Sequence, residues 1–116
     1  MYYLNLKPFM KSDKVYIEQL LDAVQKIELF TAGMTKEQFL NDVKTQSATI
    51  LQLALIGEIS KKISEDMKKK IALPWKDIAG FRDKAIHDYF QLDLEVVWGA
   101  VQIDIPVVKS EFNKTL

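Results

Sequence analysis

The sequence predicts an all-α protein: an antiparallel, up-and-down bundle of four to five helices joined by short connections. Three observations carry this prediction. Apolar residues recur at intervals of three and four positions over most of the chain, as in helices buried along one face. No segment alternates convincingly between apolar and polar residues over five positions, as a half-exposed strand would. Helix-capping residue types stand just before the periodic segments.

The first predicted helix begins after Ser12 and Asp13, which are both favourable N-cap residues. A wide apolar stripe follows and predicts a helix of roughly five turns with one buried face. We expect Ala32 and Gly33 to end it, because glycine readily adopts the left-handed conformation that closes helices. The stripe comprises Ile17, Leu20, Leu21, Val24 and Ile27.

The middle of the chain is expected to form the central helix. Thr35 opens a short preceding helix, and Gln38 three positions later completes the pattern of a capping box. Residues 46–70 contain no proline and one glycine, so we expect one long helix there. Its first half is apolar almost all round, which is typical of a helix inside a bundle. Gly57 costs about 1 kcal/mol relative to alanine, and close approach of a neighbouring helix is the usual compensation.

Two further helices complete the prediction. Pro74 restricts the residue before it to extended conformations and suits the first position of a new helix. Asp93 is expected to cap the last helix, in which Pro106 predicts a kink near residues 102–106. The inner face of the penultimate helix is predicted to consist of Trp75, Ile78, Ala79, Ala85 and Ile86.

Composition limits the possible classes of function. A chain of 116 residues, 48% of them apolar and 28% charged, fits a single domain over residues 1–116. It contains no cysteine, which excludes a thiol nucleophile and suits a reducing cytoplasm. One histidine and scattered carboxylates indicate no metal site, so no metal or other cofactor is expected. No apolar run approaches the ~20 residues that cross a bilayer, and the first residues lack the features of a signal peptide.

The residues with the greatest chemical potential stand between Arg82 and Tyr89. Arg82 is the only arginine of the chain and His87 is the only histidine. An arginine grips a phosphate through a planar fork of donors, a histidine transfers protons near neutral pH, and a tyrosine hydroxyl donates and accepts. These residue types are sufficient for phosphodiester chemistry without a metal. From residue types alone, a structural histidine beside a solvated arginine remains an alternative.

Helix geometry limits how these residues can meet. On a straight helix Arg82 shares a face with Tyr89, and Asp83 shares another with His87, close enough for a supporting hydrogen bond. Arg82 and His87 lie roughly 140° apart around the axis. They converge if the arginine reaches around, if the helix ends near Asp88, or if a second copy of the chain supplies the partner groups. The last option is favoured, because a symmetric dimer supplies a base and an acid from one histidine per chain.

Arg82-x4-His87-x-Tyr89 matches the R-x4-H-x-Y signature of the HepT-like branch of the HEPN superfamily. The resemblance covers about residues 12–113 and is strongly specific because flanking segments occur in the same order. Where this chain has Leu51 and Ala54, members of the branch often have polar residues. The similar flanking segments are residues 15–23, 30–35, 56–58, 74–82 and 93–98.

The resemblance implies a HEPN-like homodimer that cleaves RNA without a metal, as the toxin of a toxin–antitoxin pair. Arg82 and His87 would be the catalytic residues. The implied partner is a small nucleotidyltransferase antitoxin of the MntA type, which can silence such a toxin by attaching AMP to the motif tyrosine, here Tyr89.

Two other functions stay open at this point. The chain could be a non-catalytic partner subunit that binds a substrate or nucleotide for a nucleotidyltransferase. A bundle used only for assembly would fit the seven-residue repeat of the last helix but would leave the motif unexplained. Cleavage of single-stranded RNA in the presence of EDTA separates the enzyme from the binding subunit.

Overall fold

The computed structural model describes residues 12–115, and its regular structure in this range is entirely helical. This confirms the predicted all-α bundle. The last three elements run without a break over residues 94–113, and we call them together the final rod. The bundle thus has four long helical segments, joined by two short helices and a 3₁₀ turn. The elements are α1 (Asp13–Thr31), α2 (Lys36–Leu40), α3 (Val43–Ser60), α4 (Glu65–Lys69), α5 (Trp75–His87), a 3₁₀ turn (Tyr89–Gln91), α6 (Leu94–Gly99), a π-helical turn (Ala100–Asp104) and α7 (Ile105–Asn113).

Helix α3 occupies the middle of the bundle, with α1 packed on one side and α5 on the other. The final rod closes the core through α7, which contacts α1. This placement confirms the expected central position of α3, but Leu51 and Leu55 of its apolar first half are exposed. The core is formed mainly by Ile17, Leu20, Val24 and Ile27 of α1, Ile50, Leu53 and Ile56 of α3, and Val101, Ile105, Val108 and Phe112 of the final rod.

The predicted helix ends are observed in detail. The Ser12 hydroxyl accepts from the backbone of the first turn of α1, and Gly33 has a φ of +72° just after its end. Thr35 and Gln38 form the complete capping box of α2. Asp93 accepts from the backbone at the start of α6. Local sequence rules therefore located these boundaries correctly.

The single long helix predicted over residues 46–70 is wrong. Helix α3 ends at Ser60, and Ser64 caps the separate helix α4. The Ser64 backbone N–H donates to Asp13 Oδ1 at 2.8 Å, and its hydroxyl donates to Asp13 Oδ2 at 2.6 Å. Because Ser64 bonds to the start of α1, its N–H cannot continue the hydrogen-bond ladder of α3.

Two details of the later helices differ from expectation. Ile86, predicted on the inner face of α5, is exposed, whereas Ala85 is buried. The irregularity expected at residues 102–106 is a π-helical turn over Ala100–Asp104, directly before the turn that contains Pro106. A π turn changes the backbone bonding where a proline has no N–H to donate. None of the helices described in residues 12–115 has the length and apolar composition that a membrane crossing requires.

Gly57 allows α3 and α5 to approach closely. An ideal Cβ at this position would lie 2.7 Å from Arg82 Cβ and 2.7 Å from the carbonyl oxygen of Ile78. Both distances are shorter than side chains tolerate, and the second involves backbone that cannot rotate away. The predicted compensation for a glycine inside this helix is thus confirmed: the neighbouring helix is α5.

We predict that Gly57→Ala lowers the free energy of unfolding by about 1–3 kcal/mol, because the added methyl group forces α5 away. Gly80→Ala is the matched control, since nothing lies within 4 Å of an ideal Cβ there. That variant should gain up to about 1 kcal/mol from helix propensity. Denaturant unfolding measures both changes. Equal stabilisation by the two substitutions would contradict the close approach.

Candidate active site

The end of α5 determines how the motif residues are presented. Arg82 lies within α5, and His87 is its last residue. Asp88 leaves the helical conformation with φ −131° and ψ 38°, and the 3₁₀ turn begins at Tyr89. The helix thus ends near Asp88, but Arg82 and His87 both lie within α5 and stay about 140° apart around its axis. Only Tyr89 is released from the 100° spacing of a straight helix.

Arg82 is held between two carboxylates. Its Nε lies 2.9 Å from Oε2 of Glu58 on α3, and its Nη1 donates to Oδ1 of Asp83 at 3.1 Å. The Nε–H is buried and is not directed at the Glu58 oxygen, so this contact is an ion pair without an aligned hydrogen bond. The guanidinium is half-buried but still reaches the surface.

Asp83 does not support His87 as the helical spacing predicted. Its Oδ1 instead accepts from Lys61 Nζ at 2.9 Å and from Arg82 Nη1 at 3.1 Å. The hydrogen bond from Lys61, and then that from Arg82, lower the pKa of Asp83 below its ordinary value of 3.8. Two cations compete successfully for this carboxylate because Lys61 lies at the end of the adjacent α3. Asp83 therefore acts on the arginine and not on the histidine.

The imidazole of His87 is exposed at the end of α5. Within residues 12–115 it has no hydrogen-bond or ion-pair partner. A histidine that serves the fold is normally buried and hydrogen-bonded. The structural alternative for this residue is therefore not supported, and both ring nitrogens can meet a group from outside the chain.

Tyr89 contacts α3 through its hydroxyl group. The Tyr89 hydroxyl lies 3.2 Å from the Ser47 hydroxyl, and either atom can donate. Its ring meets the ring of Phe90 edge-on, with centroids 5.5 Å apart. The Phe90 side chain is 94% exposed. The tyrosine is thus anchored lightly, with part of its surface open.

The motif residues border an exposed apolar surface that we call the motif face. On α3 it follows positions 47, 51, 55 and 58, whose spacings of four, four and three place them on one side of the helix. Ser47 contacts Tyr89 at one end of this row, and Glu58 contacts Arg82 at the other end. On α5 it continues one turn after Arg82. Its apolar members, all exposed, are Leu51, Leu55, Ile86, Tyr89 and Phe90.

An apolar cleft of about 360 Å³ lies between α5 and the final rod. It is lined by residues such as Ile56, Phe81 and Val96 and includes no motif residue. Within residues 12–115, no three His, Cys, Asp or Glu side chains cluster closely enough to hold a metal ion. The motif therefore lies outside this cleft, and the side chain of His87 is exposed.

Comparison with known proteins identifies the family. The family model described as "Ribonuclease HepT-like" matches residues 20–115. The chain belongs to the HepT-like ribonuclease family. Among its HepT-like relatives, "Probable ribonuclease HepT" of Thermococcus cleftensis is 45% identical over 105 residues, covering 90% of this chain and 96% of the relative. "Putative RNase MJ1216" of Methanocaldococcus jannaschii is 38% identical over 104 residues, covering 89% and 86% respectively. No solved structure matches the chain significantly.

Three residues that contact the motif were missed by sequence reasoning. Glu58 lay within a segment that resembles the family, directly after Gly57, but nothing in the sequence assigned it a contact. Lys61 was one of many lysines in a polar stretch. Ser47 carried no signal, because its partner Tyr89 lies 42 positions away. Contacts between helices, and not spacing within one helix, define all three.

We predict that Lys61→Met raises the pKa of Asp83 towards 3.8, because the larger of its two stabilising hydrogen bonds is lost. The pKa stays below that value while the bond from Arg82 remains. Since folding lowers this pKa, the charge cluster stabilises the fold fully above about pH 3.8, and this contribution is lost as pH falls through the lower folded value.

Titration of the Asp83 carboxyl carbon by NMR measures this shift. Lys26→Met is the control, because it removes an ion pair with Asp22 on α1, remote from the motif face. An Asp83 titration that is identical in wild type and Lys61→Met would contradict the assigned contact.

Proposed function

We propose that this protein is a metal-independent endoribonuclease that works as a homodimer, with Arg82 and His87 as its catalytic residues. Membership of the HepT-like ribonuclease family supports the reaction class. The observation that carries the proposal is the exposed imidazole of His87, which has no partner among residues 12–115 and stands at the end of the helix that also carries Arg82. One helix thereby carries a proton-transfer group and a phosphate-binding group.

The reaction follows from these groups. The imidazole of His87 takes the proton from a ribose 2′-hydroxyl, and the resulting oxygen attacks the adjacent phosphorus. The bond from phosphorus to the 5′ oxygen breaks, leaving a cyclic phosphate on one fragment. The departing 5′ oxygen takes its proton from the protonated His87 of the second subunit. Proton and charge are balanced, and the step needs no further reactant.

The guanidinium of Arg82 holds the phosphate and offsets the negative charge that develops on its non-bridging oxygens. Such electrostatic stabilisation is commonly the largest single contribution to catalysis. The Tyr89 hydroxyl, placed beside Ser47, orients the phosphate or the imidazole. Asp83 contributes indirectly, by holding the guanidinium from one side.

The dimer explains why the motif face is apolar. Contiguous exposed apolar surface is unusual on a monomer and often marks an interface. A two-fold axis near this face would bring two copies of Arg82 and two of His87 to one groove. It would also bury Phe90, which stands almost entirely free of its own chain. The replacement of polar residues by Leu51 and Ala54 adds to the apolar character of the same helix.

We further propose regulation by a nucleotidyltransferase partner in a toxin–antitoxin pair, in the cytoplasm. The Tyr89 side chain is partly exposed, so its hydroxyl can accept an AMP group without disrupting the core. The attached phosphate would add negative charge and bulk on the motif face and would repel an RNA backbone.

We predict that His87→Ala and Arg82→Ala each reduce RNA cleavage by about 10²-fold or more, the range for losing a proton-transfer or charge-stabilising group. The assay uses single-stranded RNA with EDTA present, which also tests independence from divalent metals. Lys84→Ala is the matched control, because Lys84 is an exposed cation on the same helix.

Cleavage by His87→Ala at the wild-type rate would contradict the mechanism. Absence of cleavage by the wild type, together with tight binding to a nucleotidyltransferase, would instead identify a non-catalytic binding subunit. Circular dichroism of each variant separates lost chemistry from lost folding.

We predict that Phe90→Asp weakens the dimer, because it places a charge in the apolar motif face. Leu29→Asp on α1 is the control, since Leu29 is also exposed, at 68%, but lies outside that face. Sedimentation over a range of concentrations measures the dissociation of each variant. A dimer disrupted by Leu29→Asp but not by Phe90→Asp would place the interface elsewhere.

A further inference from the structure

The side chain of Glu58 bears directly on how Arg82 meets a phosphate. Glu58 stands on α3, one position after the glycine that brings α5 close, and its Oε2 lies 2.9 Å from Arg82 Nε. Oδ1 of Asp83 accepts a hydrogen bond from Nη1 of the same guanidinium. No hydrogen bond joins Nη2 to any residue from 12 to 115. The guanidinium thus meets one carboxylate at Nε and another at Nη1, and its second terminal nitrogen, Nη2, is left for a ligand.

An arginine side chain has four flexible torsions, and holding it in one orientation costs conformational entropy. A carboxylate on a neighbouring helix removes that freedom before the ligand arrives, which is the usual way in which a site is preorganised. Glu58 meets this requirement because it belongs to α3, which packs against the helix that carries Arg82.

We propose that Glu58 is a positioning residue for Arg82, setting the orientation in which the guanidinium receives the scissile phosphate. This inference rests on the proposed ribonuclease function. Glu58 itself does not touch the RNA, because its negative charge would repel a phosphate at close range. It acts through Arg82, and its loss therefore impairs turnover more than it impairs the fold.

A merely structural ion pair between α3 and α5 is the competing explanation. The bundle contains a matched pair for comparison: Lys109 of α7 lies 3.1 Å from Glu28 of α1. The two glutamates are similarly exposed, at 38% for Glu58 and 42% for Glu28, and both pairs join two helices. Glu28→Gln therefore removes an equivalent interhelical charge pair that is remote from the motif face.

The test compares Glu58→Gln with Glu28→Gln in the full-length protein, which is expressed without a tag that contains arginine. Arg82 is the only arginine of the chain, so its Nε–Hε group gives a single NMR signal that needs no further assignment. Rates of cleavage of a single-stranded RNA oligonucleotide are measured at saturating and subsaturating concentrations. Melting temperatures are recorded for both variants.

Glu58→Gln is expected to lower kcat at least tenfold and to shift or broaden the Arg82 signal. Glu28→Gln should leave both at the wild-type values, although the two variants melt at similar temperatures. Glu58→Asp, which keeps the charge on a shorter side chain, should recover part of the lost rate. If Glu58 acted only through its size, the glutamine variant would keep more of the wild-type kcat than the aspartate variant.

Wild-type kcat and an unmoved Arg82 signal in Glu58→Gln would overturn the inference, and a lowered melting temperature alone would assign a structural role. If the wild-type protein cleaves no RNA, the ribonuclease proposal fails separately. The NMR signal still decides the positioning claim in that case, because an unchanged signal in Glu58→Gln shows that Glu58 does not orient Arg82.

Discussion

The close contact of α3 with α5 at Gly57 is the constraint on which the rest of the structure depends. Because position 57 has no side chain, the backbone of α5 can lie against α3, with an ideal Cβ there only 2.7 Å from Arg82 Cβ. The same approach brings Glu58 to Arg82 and, further along the antiparallel pair, Ser47 to Tyr89. One packing contact thereby supports the core and sets the geometry of the candidate active site.

Rules that act within a few residues predicted much of the fold. The caps at Ser12, Thr35 and Asp93 are each satisfied by neighbours two or three positions away, so the sequence contains all the necessary information. The break after Ser60 could not be predicted in this way. It depends on a bond between Ser64 and Asp13, which are separated by 51 positions.

The sequence identified candidate members of the site but not their contacts. The residues of the motif were recognised by type and spacing, yet Asp83 pairs with Lys61 of another helix and not with His87. The exposure of Ile86 was missed for a related reason, because apolar residues at helical spacing look the same whether they face a core or a second chain.

The most direct test of this account is the distance between equivalent positions in the dimer, measured by electron spin resonance. The chain contains no cysteine, so Asp88→Cys and Lys26→Cys each provide one labelling position per subunit. The first lies beside His87, and the second lies on α1, which packs against α3 and carries no motif residue. The account predicts a shorter distance between the labels at position 88 than between those at position 26. A shorter distance between the labels on α1 would place the two motifs on opposite outer surfaces and would contradict it.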